Sequence, residues 1–240
     1  MKWINYYIYN VYIYLGVLAA FILIAPGLGG YISAAADSSA PQRVYTVIID
    51  PGHGGEDGGA VSCTGVAEKE INLQISLRLN SMLRLLGYQT KMVRQTDQAI
   101  HTEGSTIAAR KASDLRNRAA LVNDTDNSVL VSIHQNKFPV TKYSGAQVFY
   151  ALSSGSDKFA KLVQDQLREA LDTKNNRQIK AGKDLYLLEN IQQPGIMVEC
   201  GFLSNPEEET LLRNERYQKK LACVLAASIS QYLTEMENMV

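Results

Sequence analysis

The hydrophobic positions of the chain fall into short apolar runs and into longer stretches with helical spacing. Residues 43–50 (RVYTVIID) form an apolar run before a glycine-rich turn, which predicts a buried strand. Residues 68–86 carry apolar side chains three and four positions apart, which predicts a helix with one buried face, and Gly87 is placed to end it. The same criteria predict further strands at 88–93, 128–133, 145–150, 185–188 and 195–198, and further helices at 110–122, 157–171, 206–214 and 217–236.

This alternation of strands and helices predicts the fold class. Successive strand–helix–strand units build a parallel sheet whose two faces are covered by the connecting helices. We therefore expect an α/β fold: a single domain with a mostly parallel sheet flanked by helices. Residues 95–109 are polar and without periodicity, which predicts a long surface loop.

The first 36 residues differ from the rest of the chain, because they contain no acid and a single base, Lys2. The run 4–25 is long enough to cross a bilayer as a helix, and the small residues 34–36 resemble a signal-peptidase site. We predict that residues 1–36 are a signal peptide or a membrane anchor and that 37–42 are a linker. Either alternative places the domain at 43–240 outside the cytoplasm, on the outer face of the membrane. A buried core helix is disfavoured by the Gly/Ser/Ala/Pro-rich stretch 26–42.

Composition excludes little beyond a partner bound by bulk charge. The 24 basic and 24 acidic residues give a net charge of +0, so we expect no nucleic-acid binding. The three cysteines cannot all pair within the chain, and none forms a CxxC pair. Cys200 and Cys223 lie in apolar stretches and are predicted to be core residues, whereas Cys63 lies in a loop.

The chemically active residues cluster at predicted strand ends, where α/β sheets place their sites. His53 follows the first strand, His134 follows 128–133, and Glu199 follows 195–198. Two imidazoles and one carboxylate, with one coordination position open, are what a hydrolytic zinc site needs. Spacing leaves the carboxylate open among Glu56, Glu68 and Glu70. Glu199, in the apolar context IMVECGF, is a candidate general base, and His101 is expected to be a surface residue.

Several blocks of sequence, in order, resemble the zinc-dependent N-acetylmuramoyl-L-alanine amidases of bacterial cell-wall metabolism. The blocks are IDPGHGGEDGGA, EKEINL, RNRAALVN followed by SIHQN, SGAQVF, and PGIMVECGFLSNPEEETLL. The resemblance covers nearly all of residues 44–235 and implies that 43–240 is an amidase catalytic domain. It implies that His53, Glu68 and His134 bind Zn²⁺ and that Glu199 is the catalytic carboxylate.

Within this family the chain is similar to the germination-specific branch of spore formers. That branch removes peptide stems from muramic acid during spore-cortex synthesis, and a peptidoglycan deacetylase then completes muramic-δ-lactam. The resemblance implies peptidoglycan as substrate and functional coupling to such a deacetylase. We further expect Asn136 to orient substrate or the loop after His134, Glu56 to support the site, and a regulatory protein partner to bind the segment 95–109.

Three alternatives remain at this stage. A housekeeping amidase for wall turnover or cell separation would carry the same motifs. A zinc carboxypeptidase would need a cation for a free C-terminal carboxylate, and Arg94, Arg110, Arg116 and Arg118 are the candidates. An inactive wall-binding module is disfavoured by the intact histidines and Glu199.

Overall fold

Six strands form one sheet in the computed structural model, which describes residues 44–238. The strands are β1 (Thr46–Pro51), β2 (Gln89–Met92), β3 (Ser128–Asn136), β4 (Gln147–Tyr150), β5 (Lys180–Ala181) and β6 (Gly195–Phe202). They lie in the order β2-β1-β3-β6-β4-β5. The first four strands of that order are mutually parallel, and β4 runs antiparallel to β6. The predicted α/β fold with a mostly parallel sheet is confirmed.

Helices cover both faces of the sheet. They are α1 (Glu68–Leu85), α2 (Ile107–Asn123), α3 (Ser156–Leu171), α4 (Tyr186–Asn190), α5 (Pro206–Arg213) and α6 (Glu215–Glu237). Apolar residues of α1, α3 and α6 pack on one face in the larger core, while α2 and α4 cover the other face. Since successive strand residues point to opposite faces, Val47 and Ile49 lie in the larger core and Ile48 in the smaller one.

This alternation also determines which face carries the polar strand ends. Ile48 and Leu130 lie in the core beneath α2, so Asp50 and His134, at even spacing from them, continue on the same face of the sheet. On β6, Met197 belongs to that core and Glu199 follows it two residues later. The carboxyl ends of the three central strands therefore present polar groups beside α2, at the edge where open α/β sheets bind ligands.

Two local predictions are wrong. Residues 185–188 are not a strand: α4 begins at Tyr186, and Glu189 accepts a hydrogen bond from the backbone N–H of Asp184 (3.0 Å). The consecutive burial of Leu187 and Leu188 suits this short helix and not a half-buried strand. Cys223 is exposed, because the buried stripe of α6 runs through Leu221, Ala222 and Leu225 and leaves residue 223 on the outer face.

The loop before α2 matches the predicted surface segment, although its end differs. α2 begins at Ile107 instead of residue 110, because Thr106 caps the helix by accepting a hydrogen bond from Ala109 N–H (3.1 Å). Within residues 44–238 no helix combines the length and apolar character that crossing a membrane requires. The predicted signal or anchor at 1–36 and the linker at 37–42 lie outside the described residues.

Candidate active site

His53 follows β1 in a strained backbone conformation. Its φ of 61° lies in the left-handed region, which non-glycine residues seldom adopt. Two contacts hold it: Arg118 Nη2 donates to the His53 carbonyl (2.8 Å), and His53 Nδ1 is 2.8 Å from Asp57 Oδ2. Burial lowers the pKa of His53, but the hydrogen bonds with Asp57 and Glu68 outweigh burial and raise that pKa to about 9. Because Nδ1 is engaged by Asp57, Nε2 faces Glu68 Oε2 at 3.2 Å.

Glu68 is the first residue of α1, and its side chain is only 4% exposed. The carboxylate accepts hydrogen bonds from the N–H groups of Ala60 (2.9 Å) and Gln135 (3.1 Å) and from Asn72 Nδ2 (3.1 Å). Burial raises the pKa of Glu68, yet hydrogen bonds with His134 and His53 hold it well below its ordinary value. The N-terminus of a helix further favours a carboxylate at this position.

His134 lies near the end of β3 and completes the group. Its Nδ1 is 3.0 Å from Glu68 Oε1, and its ring centroid is 4.9 Å from that of His53. The ring packs against the backbone of Gly52, where a Cβ would lie 2.3 Å from His134 Cε1. Only glycine at position 52 leaves room for the ring in this orientation.

Glu199 lies on β6 directly opposite His134. Burial raises the pKa of Glu199 to about 7, an effect that the neighbouring His134 only partly offsets. Its Oε2 atom is buried and has no hydrogen-bond partner within residues 44–238. Leaving a buried carboxylate oxygen without a hydrogen-bond partner costs free energy in a folded protein. This oxygen of Glu199 is therefore suited to contact a bound molecule.

The ligand atoms of His53, Glu68 and His134 form a donor set that fits a divalent zinc ion. One ligand atom from each of His53, Glu68 and His134 lies within 4.8 Å of the other two. Two imidazole nitrogens and a carboxylate oxygen are typical ligands of a catalytic zinc, and three protein ligands leave one position open. Asp57 on His53 Nδ1 is the kind of outer partner that fixes the ring of a metal-binding histidine.

A buried ion-pair network supports the end of β1. Arg118 contacts the carboxylates of Asp50 and Asp114, and Ser132 Oγ donates to Asp50 Oδ2 (2.6 Å). Burial raises the pKa of Asp50, but Arg118 and Ser132 outweigh it and hold that pKa below 3.8. The network ties α2 to the strand that leads into His53.

The other carboxylates considered from the sequence lie elsewhere. Glu56 is exposed and pairs with Arg110 (2.6 Å), and Glu70 is exposed on α1.

Asn136 ends β3 beside a register shift, where its carbonyl accepts from Leu203 N–H (2.8 Å). Cys200 is buried, as expected, and Cys63 is exposed. His101 is partly buried and, like Cys63, lies outside the three-residue group.

Each of the four arginines considered for a carboxypeptidase already makes hydrogen bonds or ion pairs with protein groups. Arg94 donates to the carbonyl oxygens of Pro51, Gly52, Lys69 and Thr96. Arg118 is committed to Asp50 and Asp114, Arg110 to Glu56, and Arg116 to Glu103.

Sequence reasoning missed the residues that position His53 and Glu68. Asp57 stands four residues after His53, and this spacing is its only signal in the sequence. Gly59 has a φ of 67°, and a Cβ there would lie 2.6 Å from Glu68 Oε2. Lys111 on α2 pairs with Asp57 (3.0 Å) and lines a cleft of about 250 Å³ that also borders His53, His134 and Tyr186.

Comparison with known proteins identifies the family of the chain. The family described as N-acetylmuramoyl-L-alanine amidase matches residues 47–231, which include His53, Glu68, His134 and Glu199. The germination-specific N-acetylmuramoyl-L-alanine amidase of Bacillus subtilis (strain 168) is 40% identical over 199 residues, covering 82% of this chain and 83% of that protein.

Solved structures give the same result. The CwlD amidase from Clostridioides difficile, in complex with the GerS lipoprotein, is 37% identical with a TM-score of 0.75, over 79% of this chain and 98% of that chain. An N-acetylmuramoyl-L-alanine amidase from Clostridium difficile 630 is 33% identical with a TM-score of 0.69, over 80% and 97% of the two chains. The chain therefore belongs to the N-acetylmuramoyl-L-alanine amidase family and is a peptidoglycan hydrolase.

Proposed function

We propose that this amidase is zinc-dependent, with His53, Glu68 and His134 as ligands and Glu199 as the catalytic carboxylate. The observation that carries the proposal is the approach of three ligand atoms to within 4.8 Å of one another, together with a buried Glu199 Oε2 that has no hydrogen-bond partner in the described part of the chain. Bound zinc would supply a water of lowered pKa and polarise the substrate carbonyl.

Glu199 provides the proton transfers that hydrolysis requires. Its carboxylate accepts a proton from water as the water oxygen bonds to the lactyl carbonyl carbon of N-acetylmuramic acid. The same proton then passes to the nitrogen of L-alanine as the C–N bond breaks, which leaves a lactyl carboxylic acid and a free amine. Asp57, through its contact with Nδ1, holds the ring of His53 in place throughout.

Two substitutions test the assignment. Glu199→Gln is expected to retain about one zinc per chain and to lose at least ~100-fold in activity, because a carboxamide cannot accept the proton. His134→Ala is expected to lose the metal, measured by elemental analysis. Glu70→Gln, an exposed carboxamide substitution on α1, is the control and should keep both properties. Near-normal activity of Glu199→Gln would remove the catalytic role.

We further propose that the enzyme carries out the first step of muramic-δ-lactam formation in spore cortex, before a peptidoglycan deacetylase. The similarity to the germination-specific amidase of Bacillus subtilis supports this role. A muropeptide profile of spores that lack the protein should show no muramic-δ-lactam. Normal lactam content would favour the housekeeping alternative, wall turnover or cell separation.

A protein partner and an extracytoplasmic location complete the proposal. The solved complex of the CwlD amidase with a lipoprotein supports a regulatory protein partner. The apolar composition of residues 1–36 supports a signal peptide or an anchor at the outer face of the membrane. Protease added to intact protoplasts should degrade the full-length protein, whereas a variant without residues 1–36 should be protected. Protection of the full-length protein would contradict the location.

A further inference from the structure

A row of polar side chains crosses three neighbouring strands at the site. His134 on β3 lies opposite Glu199 on β6, and Glu199 lies opposite Gln147 on β4. Directly opposed residues project from the same face of a sheet, about 4.5–5.5 Å apart at Cβ. Gln147 is therefore the neighbour of Glu199 on the side away from the metal ligands.

Arg177 extends this row beyond Gln147. Its Nη1 donates to Gln147 Oε1 (3.4 Å), its Nε donates to the carbonyl of Ser144 (2.7 Å), and the guanidinium lies 4.5 Å from the ring centroid of Phe202. The backbone beneath it is also fixed, because Arg168 donates to the Arg177 carbonyl (3.0 Å). The guanidinium is held in one orientation before any ligand arrives.

The charge of Arg177 has no carboxylate within salt-bridge distance in residues 44–238. The carboxylate of Glu208 influences it electrostatically, but that group is occupied by the N–H groups of Gly145 and Phe202. A guanidinium has five N–H donors, of which Nε and one on Nη1 are used here. Three N–H donors on Nη1 and Nη2 therefore remain for a ligand, and guanidinium donors bind carboxylates through charge-assisted hydrogen bonds.

We propose that Arg177 binds a carboxylate of the peptide stem, on the acidic residue that follows L-alanine. The inference rests on the proposed function, which places the scissile amide between the metal ligands and Glu199. The metal ligands lie on the β3 side of Glu199 and Gln147 lies on its β4 side, so the proposal places the departing peptide toward β4. A peptide advances at most about 3.3–3.6 Å per residue, so the residue after alanine reaches the neighbourhood of Gln147 and Arg177.

The test compares two soluble substrates that differ at one group: N-acetylmuramoyl-L-alanyl-D-glutamate with a free α-carboxylate, and its α-carboxamide analogue. The wild-type full-length protein should show a KM for the acid about 10- to 100-fold below that for the amide, with similar kcat, as expected for loss of a charge-assisted hydrogen bond. Arg177→Gln should raise the KM for the acid to the level of the amide. Arg177→Lys, which keeps the charge without the bidentate fork, should fall between them.

Arg216→Gln is the matched control, because Arg216 is an exposed arginine at the start of α6, on the opposite side of the sheet. It should keep the wild-type preference. Equal KM values for acid and amide in the wild type, or an equal loss on both substrates in Arg177→Gln, would overturn the role of Arg177 and assign it to structure alone. Failure of the wild type to cleave either substrate would instead count against the proposed function.

Discussion

His53 depends on Asp57 for the orientation of its ring, and this dependence gives a prediction at the scale of single residues. The carboxylate of Asp57 forms a hydrogen bond with Nδ1, which leaves Nε2 for the proposed zinc ion. Asp57→Asn should weaken zinc binding about 10- to 100-fold, the usual effect of removing such a partner. Competition with a chromophoric chelator would measure the affinity.

The adjacent Glu56→Gln is the control for that experiment. Glu56 is 61% exposed and pairs with Arg110 at the surface, so its substitution should leave zinc affinity as it is. Equal weakening of zinc affinity by both variants would mean that negative charge near His53, and not the contact with Nδ1, determines zinc affinity.

Arg118 and Arg116 lie on the same helix and provide a second residue-scale comparison. Arg118→Met leaves Asp50 buried without its partner and should lower the free energy of unfolding by about 3–5 kcal/mol. Arg116→Met removes an exposed pair with Glu103 and should cost about 0–1 kcal/mol. Urea denaturation at pH 7 measures both values.

The pH dependence of this difference has a definite sign. The pKa of Asp50 in the folded protein is held below its ordinary value of 3.8. The stability that the charged carboxylate contributes is therefore fully present above pH 3.8 and is lost as the pH falls through the folded-state pKa. The gap between Arg118→Met and wild type should narrow in acid. A gap that widens in acid would contradict the assignment of the charge on Asp50.

At the scale of elements, we predict that the segment between β1 and α1 shapes the site through Gly59. A Cβ on Gly59 would collide with Glu68 Oε2 at 2.6 Å, whereas a Cβ on Gly65, in the same segment, meets nothing within 4 Å. Both glycines have positive φ, at 67° and 91°, so alanine at either should cost roughly 1 kcal/mol in backbone strain.

Only Gly59→Ala should therefore lose bound zinc, while Gly65→Ala should retain it with a similarly lowered melting temperature. Elemental analysis and thermal unfolding of the two purified variants separate the effects. Full zinc content in Gly59→Ala would show that this segment does not shape the site as described.

Elements with strong periodicity were predictable from the sequence, and those defined by local contacts were not. The spacing of Ile71, Ile75 and Leu79 specifies the buried face of α1. Residues 185–188 offered four apolar or aromatic positions without a period, and the helix there depends on the contact between Glu189 and Asp184. Cys223 was misplaced because small residues on both sides of α6 hide which face is buried.

For the whole molecule, the sequence predicted the α/β class and predicted that His53, His134 and Glu199 lie at strand ends. It did not predict the order of the strands in the sheet. The antiparallel entry of β4 beside β6 is a long-range pairing with no local signature. That pairing places Gln147 beside Glu199, and Arg177 in turn contacts Gln147. Gln147 and Arg177 could not be found from spacing alone, since their roles arise from contacts between distant segments. Asp57 lies only four residues after His53, and its role arises from the local turn.

The most direct test of the whole account is hydrolysis of a disaccharide-peptide in ¹⁸O-labelled water by metal-free protein, with and without one equivalent of zinc. We predict no turnover without metal. With zinc, one ¹⁸O atom should enter the lactyl carboxylate of muramic acid and a free L-alanine amine should form, both identified by mass spectrometry. Full activity without metal, or label in a peptide carboxyl group, would contradict the account.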